Sequence, residues 1–226
     1  MALDSAISDT LAFETGKPGP WKECAMELDS PLDRLLETGG HVRVLRALTH
    51  VPRGFPASGR EIARRAGVSH TTASRVLGAL DELRVVHLQR AGRADLYTLH
   101  DEHVLVAQIR ALFAHEGGIR TELVEFLRRE LPRRIGGAEG AFLFGSAARG
   151  ETHRGSDIDV GLLSPERSAT EIEPALAALA VAVRDRFGSE LNVLIAPTGR
   201  RGRRPMLWDR IKADGIPLLG PRVHGA

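Results

Sequence analysis

Residues 141–163 read AFLFGSAARGETHRGSDIDVGLL, and this stretch decides the fold of the second half of the chain. Its pattern predicts a strand, a polar turn after it, and a second strand that carries Asp157 and Asp159. Gly145, where the turn begins, lets the backbone approach an anionic group closely. Ser146 stands where a short helix can start and offer free backbone N–H groups to phosphate.

The two aspartates are two residues apart, so both side chains leave the same face of a strand. Ile158 and Val160 then point into the core. Two carboxylates side by side repel each other unless a cation shares them. A hard cation such as Mg²⁺ takes oxygen ligands and can hold a nucleotide at the same time. The stretch therefore predicts a site for a metal ion and a nucleotide.

The same stretch resembles the signature of the minimal nucleotidyltransferases, a branch of the DNA polymerase beta-like superfamily. The residues that carry the likeness are Gly145, Ser146, Arg149, Gly150, Ser156, Asp157 and Asp159. The resemblance implies that the two aspartates hold Mg²⁺ or Mn²⁺ and that the substrate is an NTP, with ATP the expected one. It also implies four nucleotide-binding residues, which are Gly145, Ser146, Arg149 and Ser156.

One position departs from that family. The family supplies a third carboxylate on the strand that follows the helix, and this chain has Asn192 there. An amide oxygen coordinates a metal weakly, and an amide cannot accept a proton at neutral pH. Glu190 lies two residues earlier and would substitute if the strand shifts or bulges. His153, in the turn before the aspartates, is either another base or a surface histidine.

Composition describes an ordinary globular protein of 226 residues, with 27% charged and 42% hydrophobic residues. Cys24 is the only cysteine, which excludes a disulfide framework and a zinc cluster. The longest apolar run, residues 175–183, is too short to cross a bilayer, and the N-terminus has no secretory signal. We therefore expect a cytoplasmic protein with no membrane partner.

The positive charge is concentrated in residues 41–100, which carry ten basic and four acidic side chains, a net charge of +6. Three helices are predicted there, the second capped by Ser58 and the third by Ser69. Residues 85–89 and 96–99 then predict two strands with arginines at the tip between them. A basic segment of this kind is typical of nucleic-acid-binding modules.

This arrangement resembles the winged helix-turn-helix of bacterial regulators. The likeness rests on Ile62-Ala63, Gly67-Val68-Ser69, Ala73 and the apolar run at residues 76–83. It implies that the third helix enters the major groove of double-stranded DNA and that the wing touches the backbone. The residues placed at DNA are His70, Thr71, Ser74, Arg75, Arg90 and Arg93. A winged helix that docks another protein is the alternative.

We predict an α+β protein of two domains in four segments. These are an N-terminal arm at 1–30, the winged helix-turn-helix at 31–100, a helical linker at 101–135 and a nucleotidyltransferase-type mixed sheet at 136–222. The linker pattern predicts two helices that are separated by Gly117 and Gly118. Four arginines at 200–204 form a basic loop that either touches the nucleotide or is simply solvated.

Two functions from different classes are compatible with this sequence. The first is an enzyme that transfers NMP from an NTP to a hydroxyl of a protein (such as a toxin), a nucleic-acid end or a small molecule. The second is a transcriptional regulator whose nucleotidyltransferase domain is catalytically impaired and senses nucleotide. A homodimer suits both, because winged-helix regulators are often dimers.

Overall fold

The computed structural model describes residues 30–92, 94–153, 155–164, 169–197 and 206–220. They form two compact units that divide between residues 114 and 115. Several predictions lie outside the described residues, namely those for the arm up to residue 29 with Cys24, for Arg93 and for the arginines at 200–204. Within the described ranges, no helix is long and apolar enough to cross a membrane. The predicted class, α+β with a winged helix-turn-helix followed by a mixed α/β sheet, is confirmed.

The first unit is a set of short helices with a small antiparallel sheet in the order β1-β3-β2. Ser58 and Ser69 cap α3 and α4 as predicted, because their hydroxyls accept hydrogen bonds from Glu61 N at 3.3 Å and Thr72 N at 3.1 Å. Its elements before the long helix are α1 (Pro31–Leu35), α2 (Gly39–Thr49), β1 (Ala57–Ser58), α3 (Gly59–Ala66), α4 (His70–Glu82), β2 (Val86–Ala91) and β3 (Ala94–Leu99).

Three local features of this unit do not follow from the sequence pattern. Gly39 and Gly40 begin α2 rather than break a helix, because the Thr38 hydroxyl caps it by accepting from His41 N. Glycine suits position 40 since an added Cβ would lie 3.3 Å from Thr72 Cγ2 on α4. The Ser30 side chain makes no cap bond to α1. The strand β1 was not predicted, because two residues are too few to show an alternation.

The wing also differs from its prediction. Its strands are longer than expected, so Arg90 lies within β2, paired with Asp95 of β3, and not in the loop at the tip. The apolar core of the unit lies under α2, α3 and α4, and its most buried members are Val44, Leu45, Ile62, Leu77 and Leu80. This core fixes which face of α4 is turned outward.

A single helix, α5 (Val106–Arg134), replaces the two predicted linker helices. It runs through Gly117 and Gly118, each of which costs about 1 kcal/mol relative to alanine in a helix interior, and through Pro132 near its end. Burial on both sides of the glycines outweighs that cost. Val106, Ile109 and Phe113 belong to the first core, whereas Leu123, Val124, Phe126, Leu127 and Leu131 belong to the second.

The second unit is a four-stranded sheet in the order β6-β5-β4-β7, with β5 and β6 parallel and the other pairs antiparallel. Its elements are β4 (Gly140–Phe144), α6 (Gly145–Arg149), β5 (Ile158–Ser164), α7 (Ala169–Phe187), β6 (Leu191–Pro197), α8 (Met206–Asp214) and β7 (Ile216–Leu219). Each lies within a few residues of its prediction. One correction bears on the site, since β5 begins one residue after Asp157.

Both faces of this sheet are covered. One face packs on α5 and α7 through Leu127, Leu143, Val160, Leu162 and Leu179. The other face carries α8, which approaches the sheet closely because Gly161 has no side chain. A Cβ added at Gly161 would lie 3.1 Å from the ring of Trp208. This close packing brings α8 to the end of β4, beside the predicted nucleotide turn.

Candidate active site and nucleic-acid interface

The centre of the candidate active site is the contact between Asp159 and Gly145. Asp159 pairs with Phe144 across the antiparallel strands β4 and β5, so its carboxylate faces the next residue, Gly145. A Cβ added at Gly145 would overlap the Asp159 carboxylate oxygen and would lie 3.2 Å from its Cγ. Gly145 also has φ of +72°, which favours glycine. The predicted close approach of an anion is thus made by a carboxylate of the protein itself.

The turn after β4 begins as predicted with a short helix. α6 starts at Gly145, and its first turn contains the half-buried Ser146. The Ser146 carbonyl accepts hydrogen bonds from the backbone N–H groups of Gly150 and Glu151, the latter at 3.0 Å. These bonds close the helix and start the polar turn that leads to the aspartates.

The two aspartates lie on the side of the strand opposite to the core. Ile158 and Val160 are buried, whereas Asp157 is exposed and Asp159 is half-buried. This burial pattern follows the predicted alternation. The Asp159 carboxylate leaves the sheet next to the start of α6, and Asp157 lies exposed one residue before the strand begins.

Asn192 contacts the Asp159 carboxylate directly. It is the parallel partner of Asp159 on β6, and its Nδ2 donates a hydrogen bond of 3.1 Å to Asp159 Oδ1. Glu190 makes no comparable contact, because its carboxylate forms a two-pronged ion pair with Arg184 of α7 at 2.9 and 3.0 Å. Among the predicted catalytic residues, the structure thus brings together Asp159 and Asn192, places Asp157 in the turn just before β5, and pairs Glu190 with α7.

The polar turn holds two further predicted residues through local bonds. Ser156 Oγ accepts a hydrogen bond from the His153 backbone N–H and lies 2.9 Å from His153 Nδ1. The guanidinium of Arg149 is paired with Glu151 at 2.7 Å. Both predicted nucleotide-binding side chains therefore have partners in the turn itself.

Two cavities flank α6, and Arg149 lines both. The first has a volume of about 760 Å³ and is lined by Phe144, Gly145, Ala148, Arg149, Arg210, Ile211 and Asp214. Sequence reasoning missed Arg210 and Asp214. The helix that carries them was predicted, but its position beside β4 follows from the packing on Gly161, which no local pattern reveals.

The second cavity has a volume of about 710 Å³ and lies on the side of α6 that faces α5. Asp157, His153 and Ser156 line it from the turn, and Glu116 and Arg120 line it from α5. The Arg120 guanidinium donates to the Ala148 carbonyl at 3.5 Å and lies against Gly150, where an added Cβ would be 2.7 Å away. Sequence reasoning missed the α5 residues that line this cavity, because it predicted a helix break at residues 117–118.

The candidate nucleic-acid interface is the outer face of α4. Ala73, Val76, Leu77 and Leu80 are buried, so four of the predicted DNA-contacting residues share the solvent face and are exposed. They are His70, Thr71, Ser74 and Arg75. Arg90 is exposed on β2. All five are accessible to a ligand that lies along α4 and the wing.

Comparisons with known proteins agree with this division of the chain. Residues 121–198 match the family model of the nucleotidyltransferase domain, and residues 38–94 match that of the MarR family. The chain therefore joins a MarR-family winged-helix domain to a nucleotidyltransferase domain. No curated protein matches the chain significantly.

Several solved structures are similar to parts of the chain. One is a mutant of the toxin–antitoxin MntA-HpeT, with 21% sequence identity and a TM-score of 0.35. Another is the toxin–antitoxin with AMP-PNP, with 22% sequence identity and a TM-score of 0.35. Each of these two matches covers 44% of this chain and 74% of the chain in the solved structure. A third is a predicted DNA-binding transcriptional regulator from E. coli (20%, 0.33), covering 40% of this chain and 87% of its own. Each of the three covers less than half of this chain.

Proposed function

We propose that this protein is a DNA-binding nucleotidyltransferase, which transfers NMP from an NTP, preferably ATP, to an acceptor hydroxyl and releases pyrophosphate. The observation that carries the proposal is the Asp159 carboxylate packed against Gly145, with Asp157 on the same side of the strand. Gly145 meets two demands at once, because its positive φ favours glycine and its missing Cβ leaves room for the Asp159 carboxylate. It suits a site where acids, metal and phosphate must meet.

The residues fit Mg²⁺ or Mn²⁺. Among the described residues, no group of three or more His, Cys, Asp and Glu side chains is arranged to hold a metal. Asp157 and Asp159 would therefore share the ion with phosphate oxygens of the nucleotide, the ligand set that Mg²⁺ uses in nucleotide enzymes. When bound, the cation neutralises negative charge that develops on the transferred phosphate.

The chain's own groups have distinct tasks in this proposal. Gly145 and Ser146 start the helix against which the phosphates lie. Arg149 and Arg210 both line the first cavity, and Arg210 has no ion pair within the described part of the chain. An unpaired arginine in a cavity suits an anionic ligand. Asn192 orients Asp159 through its amide hydrogen bond.

The winged-helix domain directs this activity to DNA in the same proposal. The exposed residues of α4 read base edges, and Arg90 contacts phosphate. Acting at a promoter would make the protein a transcriptional regulator, and a homodimer would match a two-fold symmetric operator.

Transfer of label from ATP tests the enzymatic part. The full-length protein is incubated with Mg²⁺ and ATP labelled on the α-phosphate, and in parallel with ATP labelled on the γ-phosphate. Protein, DNA-end and small-molecule acceptors, including a toxin encoded beside the gene, are supplied in turn. We expect an acceptor that gains the α label only, and no transfer by Asp157→Ala or Asp159→Ala. Incorporation of the γ label, or equal transfer by these variants, would contradict the proposal.

A second function is favoured by one observation. Asn192, in place of the third acid of the family, gives Asp159 a neutral donor and no base. A protein built in this way can bind NTP without turning it over and can report the nucleotide to its DNA-binding domain. DNA affinity that changes with ATP, together with no transfer to any acceptor, would support this regulator.

A further inference from the structure

Transfer to a hydroxyl needs a group that accepts the hydroxyl proton, and the two expected positions do not supply one. Asn192 is an amide, and its Nδ2 already donates to Asp159. Glu190 is held by Arg184 through two short hydrogen-bonded contacts. A proton acceptor must therefore come from elsewhere in the site.

His153 is a side chain in the polar turn that can accept a proton. Its side chain and Asp157 line the same cavity of about 710 Å³, beside Gly150 and Ser156. Its ring is not loose, because Nδ1 lies 2.9 Å from Ser156 Oγ and its backbone N–H donates to the same oxygen at 2.9 Å. The return bond from Ser156 N to the His153 carbonyl, at 3.0 Å, completes a closed turn.

We infer that His153 is the proton acceptor of the transfer reaction, an inference that rests on the proposed function. The acceptor oxygen forms a bond to the α-phosphorus, and the bond from that phosphorus to the bridging oxygen of the β-phosphate breaks. Pyrophosphate leaves with the electron pair of that bond. The proton of the hydroxyl moves to His153 Nε2 and is later released to water.

Ser156 acts as a positioning residue in this inference. A serine oxygen has two lone pairs, and the backbone N–H of His153 uses one of them. When the ring carries its proton on Nδ1, the second lone pair accepts it, and Nε2 is left unprotonated and basic. With the proton on Nε2 instead, the Ser156 hydroxyl would donate to Nδ1, so the contact accommodates both tautomers. We assign the first tautomer, because it leaves Nε2 free to act as a base.

Charged groups surround His153 in this cavity. Glu116 and Arg120 line it from α5, and Asp157 and Arg149 line it from the polar turn, where Arg149 is paired with Glu151.

Steady-state kinetics of the full-length protein test the assignment. We expect His153→Gln to lower kcat by about 10²–10⁴-fold, the usual contribution of a general base, and to leave the Kd for ATP unchanged. The acidic limb of the pH–rate profile should disappear with it. His115→Gln, an exposed histidine on α5 that does not line the cavity, is the control and should behave as wild type.

A rescue variant separates the loss of a base from other effects of His153→Gln. Asn192→Asp restores the carboxylate that the family has at this position, so in the His153→Gln background it should recover at least part of the lost rate. Wild-type kcat in His153→Gln would overturn the inference and leave the proposed function standing. Absence of transfer by the wild-type protein would contradict both.

The tautomer gives a readout that does not depend on turnover. In ¹⁵N-histidine NMR spectra of the full-length protein above pH 8, we expect the proton of His153 on Nδ1 and an unprotonated Nε2. Ser156→Ala should remove this bias. A ring that carries its proton on Nε2 in the wild-type protein would overturn the assignment, because that nitrogen could not then accept another.

Discussion

The winged-helix unit and the nucleotidyltransferase unit position their functional side chains in opposite ways. In the first, His70, Thr71, Ser74 and Arg75 extend from one helix into solvent, and the buried face of α4 alone orients them. In the second, the Asp159 carboxylate is fixed between the backbone of Gly145 and the amide of Asn192, which lie on different elements. Each substitution on the first surface should therefore remove only the DNA contact of that side chain. A single changed contact at the second site should instead abolish most of the transfer activity.

Gly145→Ala gives the largest expected effect and tests the second half of this comparison. Alanine at a left-handed position costs about 1–2 kcal/mol, and its Cβ would displace the Asp159 carboxylate. A displacement of this kind in an active site lowers the rate by about 10²-fold or more. The transfer rate and the urea midpoint should be measured together.

Gly54→Ala is the matched control for that variant. Gly54, in a loop of the first unit, also has a positive φ, +77°, but no atom lies within 4 Å of an added Cβ. It should lose stability from backbone strain and keep most of its transfer rate. Equal loss of activity in both variants would show that strain alone matters and that the contact with Asp159 does not.

Arg75→Ala tests the first half of the comparison. Arg75 is exposed on α4, and loss of a base contact should weaken binding to the operator by about 1–3 kcal/mol. Arg90→Ala should instead weaken binding to all DNA sequences alike. It should also reduce by about 1 the slope of the logarithm of the DNA-binding constant against the logarithm of the salt concentration. Arg133→Ala, which removes the same charge from an exposed position in the second unit, should leave DNA binding unchanged. A loss greater than additive in the Arg75→Ala, Arg90→Ala double variant would contradict the independence of these contacts.

His41 gives the smallest expected effect, a pH dependence confined to the first unit. Burial lowers the pKa of this histidine, Glu37 opposes the shift, and Arg75 adds to it. The unfolded chain then binds the proton more readily than the folded chain. The ordinary pKa of a histidine, 6.5, applies to the unfolded chain. The contribution of His41 to stability is therefore complete above pH 6.5 and is lost as the pH falls through the lower pKa of the folded chain.

Hydrogen exchange of α2 at pH 5 and pH 7.5 measures this dependence. The protection lost at pH 5 should be smaller in His41→Gln than in wild type, while His50→Gln, an exposed histidine of the same unit, should match wild type. The pKa of His103 is also lowered by burial, so this histidine adds a dependence of the same sign. An unchanged pH response in His41→Gln would contradict the role given to burial.

Sequence reasoning succeeded where a signal is local. The Ser58 and Ser69 caps, the alternation around Asp157 and Asp159, and the helix start at Gly145 each depend on a few neighbouring residues. It failed where tertiary packing overrides a local preference. Glycine pairs at 39–40 and 117–118 are typical of helix breaks, but a threonine caps α2 at the first pair and burial on both sides carries α5 through the second.

The contacts that complete the candidate site could not be predicted for the same reason. The hydrogen bond from Asn192 to Asp159 depends on the parallel register of β5 and β6. Arg120 reaches the turn only because α5 is continuous, and Arg210 reaches the first cavity only because α8 packs on Gly161. Each requires a relation between distant segments that spacing along the chain does not contain.

Equilibrium binding of a non-hydrolysable ATP analogue, with and without Mg²⁺, tests most directly whether the two aspartates and Gly145 form a metal–nucleotide site. We predict binding that depends on Mg²⁺ in the wild-type protein and is lost in Asp159→Ala, while Glu190→Ala binds as wild type. Binding that is independent of the metal and equal in wild type and Asp159→Ala would contradict this account.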